Sequence, residues 1–139
     1  MLQSVKALNK KLVVLSGDSH DGWFTNLTTL AGEKVGVEFA GTSVTSTGFE
    51  SVGLGAVGSS LDGSALVTQL GNAAIGAGLG LIDDLAYANS SERGYLLMTV
   101  TANDVKGEYV YMSTVKSTSY TRRIGRTITV DTNGKTTFA

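Results

Sequence analysis

The chain has 139 residues, of which 11 are Lys or Arg and 12 are Asp or Glu, so its formal net charge is −1, and it contains no cysteine. This length suffices for one modest hydrophobic core, and the balanced charge argues against a nucleic-acid-binding surface. The lack of cysteine excludes disulfides and thiolate metal sites. Neither a signal-peptide pattern nor an apolar run of about 18 residues is present.

The first eleven residues predict an amphipathic helix that ends in lysines. Leu2, Val5 and Leu8 recur at helical spacing, and the basic side chains fall elsewhere. The apolar run Leu12–Leu15 then predicts a short buried strand. We expect this strand to lie in the centre of a sheet.

The strand runs directly into Gly17-Asp18-Ser19-His20. In open α/β sheets, functional residues gather where strands end, and Gly17 would allow a sharp turn there. On extended backbone, Asp18 and His20 would point to the same side. A carboxylate and an imidazole together suit zinc, iron or manganese. The alternative is that His20, the single histidine, caps a turn or packs in a loop.

Two further acids near this motif have open roles. Asp21 is either a carboxylate that holds His20 or a solvated loop acid, and we favour the loop acid. Residues 35–40 alternate and predict a second strand. Its Glu38 is expected to be a surface-facing structural acid, with a salt-bridge role or a contact to a metal ligand as alternatives. The Thr/Ser-rich stretch 41–46 would line a phosphate pocket or satisfy its own backbone.

The middle of the chain is rich in glycine, with ten of the 18 glycines between Gly41 and Gly80. Helical turns are predicted near Leu61–Leu70 and Leu79–Ala88. The segment Gly53–Gly58 matches the dinucleotide-binding glycine pattern in form only. That pattern requires a strand before it and a helix after it, whereas the preceding residues are polar and Asp62-Gly63 interrupts the segment on its C-terminal side.

Three alternating segments close the chain and predict an antiparallel meander packed on the core. They are Gly94–Thr101, with Leu96, Met98 and Val100 on one face, Val105–Val115 and Arg123–Val130. Asn133-Gly134 predicts a two-residue hairpin turn before a last strand at Thr136–Phe138.

Four arginines are candidates for phosphate or surface contacts. Arg93 could bind a phosphate through a bidentate contact, although pairing with Glu92 or a neighbouring acid is the plainer interpretation. Arg122, Arg123 and Arg126 form a basic cluster, and either a solvated strand edge that resists aggregation or a ligand site explains it.

Several segments, in their order along the chain, resemble the C-terminal part of alkaline phosphatase D (PhoD-like) metallophosphatases. The likeness covers nearly the whole chain and is weaker in the glycine-rich middle. Two positions depart from the family pattern: Asp21 replaces an asparagine or a small residue, and Thr47 stands where proline is common. The segments are Leu15–His20, Trp23, Val37–Phe39, Thr42–Ser46 and Ser91–Tyr95.

The resemblance implies an α/β fold that is part of a metallophosphoesterase-type α/β sandwich. The expected parts are a short helix, a central strand, a glycine-rich helical or loop middle and a C-terminal antiparallel β meander. We expect residues 1–139 to form a single domain, the C-terminal portion of a larger catalytic domain, with Met1 inside that domain.

The resemblance also implies hydrolysis of phosphomonoesters or phosphodiesters at a site with more than one metal ion, iron with calcium. Asp18 and His20 would be metal ligands, and His20 the catalytic residue. The other ligands would lie upstream of Met1, so the isolated chain should have little or no activity.

The expected partners are a phosphate ester substrate and the upstream part of the catalytic domain or a like chain, with no nucleic acid and no membrane. The family implies a periplasmic or secreted location. The alternative class is a non-catalytic β-rich binding or structural module, which predicts no metal at Asp18 and His20.

Overall fold

The computed structural model describes residues 2–48 and 84–139. Within these ranges the protein is mostly β-structure: eight strands form two four-stranded sheets, and a six-residue helix is the only helical element. The described residues therefore contain far less helix than an α/β fold implies.

The first sheet, sheet A, is mixed, and its spatial order is β1-β3-β2-β4. β1 pairs with β3 in parallel, and the other pairings are antiparallel. Among the described strands β1 therefore lies at an edge, not in the centre as its apolar sequence predicted. With one neighbour to cover it, its Leu15 is 61% exposed. The strands are β1 (Leu12–Ser16), β2 (Gly22–Thr28), β3 (Lys34–Ala40) and β4 (Leu85–Asn89).

The predicted helical turn at 79–88 is wrong in the part that the structure describes. Leu85–Asn89 forms strand β4, which pairs with the buried start of β2. The small residues Ala86 and Ala88 fit either a helical or an alternating pattern, so the pairing decides the conformation. The remainder of that turn, the predicted turn at 61–70 and the Gly53–Gly58 pattern lie outside the described residues.

The N-terminal helix α1 (Leu2–Ala7) is shorter than predicted, and none of its residues is buried. Leu8 lies beyond its end and is 70% exposed, so the expected apolar stripe does not form. A helix this short gains little from its own hydrogen bonds. No helix within residues 2–48 and 84–139 has the length and hydropathy needed to cross a membrane.

The second sheet, sheet B, is the predicted antiparallel meander, in the order β5-β6-β7-β8. The closing strands are thus confirmed, because each carries a clear two-residue alternation. They are β5 (Gly94–Val100), β6 (Asp104–Met112), β7 (Arg122–Asp131) and β8 (Thr136–Phe138).

Three residues lie between Asp131 and Lys135, the pair that closes the β7–β8 hairpin, so the predicted two-residue turn is wrong. Asp131 N donates to Lys135 O at 3.1 Å, and Gly134 N donates to Asp131 O at 2.9 Å. The Asp131 carboxylate also accepts from Asn133 N at 2.8 Å, and Gly134 has a φ of 82°. These features are typical of a three-residue hairpin loop that ends in a left-handed glycine.

The hydrophobic core lies between the two sheets. Phe24 and Phe39 of sheet A meet edge to face with ring centroids 4.7 Å apart. Tyr109 of sheet B donates a hydrogen bond to the Trp23 carbonyl. As predicted, Leu96 and Met98 pack against this core, but Val100, at the end of β5, is 73% exposed. The central buried residues are Phe24, Val37, Phe39, Tyr87, Tyr109, Tyr111, Ile128 and Val130.

Candidate functional site

The end of β1 leads into residues 17–21, here called the 17–21 loop. Asp18 and His20 have φ values of 72° and 66°, so the backbone is left-handed at both and not extended as expected. Gly17 has no positive φ, and the space around it is open, so the turn does not require glycine there. A left-handed non-glycine residue costs about 1–2 kcal/mol, and such residues cluster at functional sites.

The imidazole of His20 is held by a main-chain carbonyl. Its Nδ1 lies 2.8 Å from Thr47 O, so Nδ1 donates to that oxygen, and in the neutral imidazole Nε2 carries the lone pair. No residue in the described part of the chain bonds Nε2. This arrangement is typical of a histidine that offers Nε2 to a metal.

The main chain of His20 is also fixed from the neighbouring loop. Its carbonyl accepts from Ser43 N at 3.1 Å and from Thr42 Oγ1 at 3.2 Å. On the core side, Trp23 Nε1 donates to Ser19 Oγ at 2.8 Å. The 17–21 loop is therefore anchored both to the loop after β3 and to the core.

The two acids of this loop differ in burial. Asp18 is exposed, and Asp21 is fully buried, so the interpretation of Asp21 as a solvated loop acid is wrong. The chain enters the core directly after His20: a β-carbon at Gly22 would lie 2.8 Å from the Tyr111 hydroxyl. The ring nitrogen contact of His20 is with Thr47 O, so the structure does not show Asp21 as the group that orients the imidazole.

Two further segments meet the 17–21 loop at this end of sheet A. Thr42 shares its single hydroxyl proton between Glu92 O at 2.8 Å and the more distant His20 O at 3.2 Å, and Gly94 N donates to Ser43 O at 3.0 Å. Ser43 Oγ donates to Ser46 O at 2.5 Å. The hydroxyls of residues 42 and 43 thus form hydrogen bonds with main-chain carbonyls of the protein. This agrees with the interpretation of a loop whose side chains bond to backbone groups, not with a phosphate pocket.

The side chain of Arg93 is buried, with 8% exposed, and its Nη1 donates to Glu92 O at 3.1 Å and Ser90 O at 3.4 Å. The carboxylate of Glu92 accepts from Asn89 Nδ2 at 2.9 Å and pairs with Arg123. Glu92, one of the expected partners of Arg93, is therefore paired with Arg123.

Sequence reasoning missed Asn89, whose Oδ1 accepts from the backbone nitrogens of Ser91 and Glu92. Asparagine before two such donors is a signal for this turn. It also missed Thr47, because only its main chain acts and a carbonyl leaves no mark in the sequence.

Glu38 is a structural acid on the outer face of sheet A, as expected. Its carboxylate accepts from Ser16 Oγ at 2.5 Å and from Thr25 Oγ1 at 3.5 Å. It therefore joins β1, β3 and β2 through side chains.

The basic cluster on β7 rests on aromatic side chains. The guanidinium carbons of Arg123 and Arg126 lie 5.6 Å from the ring centroids of Tyr111 and Tyr87, respectively. Arg122 Nη1 donates to Tyr95 OH at 3.3 Å. β8 pairs only with residues 128–130 of β7, so this part of β7 is a strand edge among the described residues. These contacts support the interpretation of the basic cluster as a solvated strand edge better than its interpretation as a ligand site.

A metal at the 17–21 loop would need ligands beyond those described. Within residues 2–48 and 84–139, no group of three or more His, Cys, Asp or Glu side chains is placed to hold a metal ion. Asp18 and His20 fit part of a coordination shell by their chemistry. Metal binding by these two residues stays a prediction.

Comparison with known proteins supplies the family. The family described as PhoD-like phosphatase matches residues 1–109. The solved "Structure of PhoD" matches with a TM-score of 0.66 and 23% identity over 99% of this chain and 24% of that chain. This chain thus spans about a quarter of that chain's length. No curated protein matches. On the family match over most of its length, the chain belongs to the PhoD-like phosphatase family.

Proposed function

We propose that this chain forms part of a metal-dependent phosphoric ester hydrolase, with Asp18 and His20 as metal ligands and His20 as the catalytic residue. Family membership supports a phosphatase-type hydrolase. The observation that carries the residue assignment is the contact between His20 Nδ1 and Thr47 O, which leaves Nε2 as the acceptor. The exposed carboxylate of Asp18, two residues away, adds a hard oxygen donor.

Neighbouring residues of this chain would orient the candidate metal ligand His20. The Thr47 carbonyl fixes the tautomer of His20, and Ser43 N and Thr42 Oγ1 hold the main chain at that residue. When bound, metal ions would lower the pKa of a coordinated water and neutralise charge that develops on the phosphate. By family resemblance the metals are iron and calcium, and the substrates are phosphomonoesters or phosphodiesters.

Two ligands are too few for such a centre, so this proposal needs a second contributor. We assign the remaining ligands to the upstream part of a larger catalytic domain or to a like chain. The isolated 139 residues should then have little or no phosphatase activity. The proposal includes the periplasmic or secreted location that the resemblance implies.

The other candidate function is a non-catalytic β-rich module derived from the same fold. The observation in its favour is that the described residues contain no three-ligand group. It differs from the first proposal in predicting no metal affinity at Asp18 and His20.

The single histidine of the chain makes metal binding directly measurable. In NMR spectra its imidazole proton signals need no assignment, and paramagnetic Mn²⁺ broadens signals close to it. We expect substoichiometric Mn²⁺ to broaden these signals before those of other regions, and Asp18→Asn to raise the Mn²⁺ concentration required by about tenfold, the scale of one charged ligand contact. Asp131→Asn, at the end of β7, is the matched control and should leave the required Mn²⁺ concentration unchanged.

Broadening spread evenly over acidic surface residues, or equal effects of both variants, would support the non-catalytic module. Hydrolysis of p-nitrophenyl phosphate tests the expectation that the isolated chain has little or no phosphatase activity. With added iron and calcium, we expect no turnover by the isolated chain above that of the metals alone. Metal-dependent turnover that disappears in His20→Ala would show that the chain is a complete enzyme.

A further inference from the structure

A cavity of about 720 Å³ lies at the other end of β1, between the two sheets. On one side it is lined by the starts of β1 and β3, and on the other by the loops that join β5 to β6 and β7 to β8. Because Lys10, Lys11 and Lys34 line it, we call it the lysine cavity. The five residues of β1 span about 16 Å, so this cavity is separate from the 17–21 loop.

Two of the ammonium groups flank the same hairpin. Lys34 Nζ donates to Thr136 Oγ1 at 2.9 Å. A β-carbon on Gly134 would lie 3.5 Å from Lys11 Cε and 3.7 Å from Lys11 Nζ. Burial, together with the charge of Lys11, lowers the pKa of Lys34. The two cations therefore repel each other across the hairpin.

The two aspartates on the cavity wall form no ion pair with the three lysines, and the wall keeps one net positive charge. Asp104 Oδ1 accepts from Thr101 Oγ1 at 2.8 Å, and Asp131 Oδ1 accepts from Asn133 N at 2.8 Å, so each carboxylate serves its own turn. Within the described part of the chain, neither Lys11 nor Lys34 forms an ion pair with an acid. Positive charge is thus left in the cavity.

The rest of the wall mixes apolar and polar side chains. Leu12, Val13 and Val105, which are partly exposed, line the cavity beside the lysines. Its volume is within the range of small-molecule sites. A ligand that fits it would carry both an anionic group and an apolar part.

We propose that the lysine cavity binds a small phosphate monoester through Lys11 and Lys34, with the apolar part of the ligand against Leu12, Val13 and Val105. A phosphate monoester carries close to two negative charges near neutral pH. It would relieve the repulsion between both ammonium groups at once, whereas a carboxylate supplies a single charge. The site is distinct from the proposed metal site and does not depend on it.

Phenyl phosphate is the probe, titrated into the chain in the presence of EDTA and followed by amide NMR. We expect peak shifts at residues 34–37 and 130–136, and about tenfold weaker binding of benzoate, which has the same ring and one charge. Lys11→Gln should weaken phenyl phosphate binding by about tenfold, since a contact to a charged group is lost. Lys34→Gln should do the same.

Lys116→Gln, which removes a lysine outside the cavity wall, is the matched control and should bind as the unmodified chain does. Lys11 is exposed, so its variant keeps the test valid if Lys34→Gln fails to fold. Shifts confined to the 17–21 loop, equal affinity for benzoate, or unchanged binding by Lys11→Gln would each overturn the proposal.

Discussion

At the scale of single residues, the spacing of Asp18 and His20 does not indicate the backbone conformation of the 17–21 loop. The motif identifies Asp18 and His20 as candidates, yet it does not indicate their left-handed backbone. Ser43 N and Thr42 Oγ1 contact the His20 carbonyl, and Thr47 O contacts its ring. These distant contacts hold His20 in a conformation that is uncommon for residues other than glycine.

A glycine outside the motif should matter more for stability than the glycine inside it. A β-carbon at Gly94 would lie 1.9 Å from the Val110 carbonyl oxygen, whereas one at Gly17 would meet nothing within 4 Å. We expect Gly94→Ala to lower the free energy of unfolding by about 3 kcal/mol, the upper range for overpacking. Gly17→Ala should change it by less than about 0.5 kcal/mol. Urea denaturation measures both, and equal losses would contradict this account.

At the scale of elements, alternation predicted the strands with strong apolar contrast and failed where that contrast is weak. β3 and β5 to β7 are recognisable from two-residue periodicity, which local sequence records, whereas β8 was predicted from the turn signal before it. β4 was mistaken for helix because Ala86 and Ala88 give no contrast, and pairing with β2 determines it. The edge position of β1 depends on its neighbours. For the same reason, the burial of Asp21 could not be read from the sequence.

The three-residue β7–β8 loop offers a test at this scale. Gly134 has a φ of 82°, where a β-carbon is unfavourable. We expect Gly134→Ala to cost about 1–2 kcal/mol of unfolding free energy. Asn tolerates this conformation better than Ala, so Gly134→Asn should cost less. Urea denaturation of both variants measures the difference, and an equal cost would mean that the loop adopts another backbone.

At the scale of the whole molecule, tyrosines join the two sheets. Tyr87 OH and Tyr111 OH lie 2.8 Å apart, and Tyr109 donates to the Trp23 carbonyl. Burial raises the pKa of both Tyr109 and Tyr111 well above the usual value of 10.0, and the neighbouring Tyr87 adds to the shift at each. These side chains therefore stay protonated in the folded state.

Because Tyr109 and Tyr111 are buried, we expect the folded protein to lose stability at alkaline pH. Above about pH 10 the unfolded chain loses protons that the folded chain keeps, so stability is complete below that pH and falls as the pH rises. Each tyrosine contributes at most about 1.4 kcal/mol per pH unit. Urea denaturation between pH 8 and 11 should show a shallower decline for Tyr111→Phe. Tyr120→Phe, at a side chain that is 58% exposed, should keep the full decline. If stability declined equally steeply with pH in both variants, the burial of Tyr111 would not be the cause of the decline.

The hydrogen bond between Trp23 and Ser19 allows the fluorescence of Trp23 to report on the 17–21 loop. Trp23 is the single tryptophan, its indole is buried, and its nitrogen is bonded to the loop that carries Asp18 and His20. Intrinsic fluorescence of the protein therefore reports on this loop without any attached dye. A change in emission wavelength when that hydrogen bond breaks would follow events at the candidate site separately from global unfolding, which far-ultraviolet circular dichroism would report.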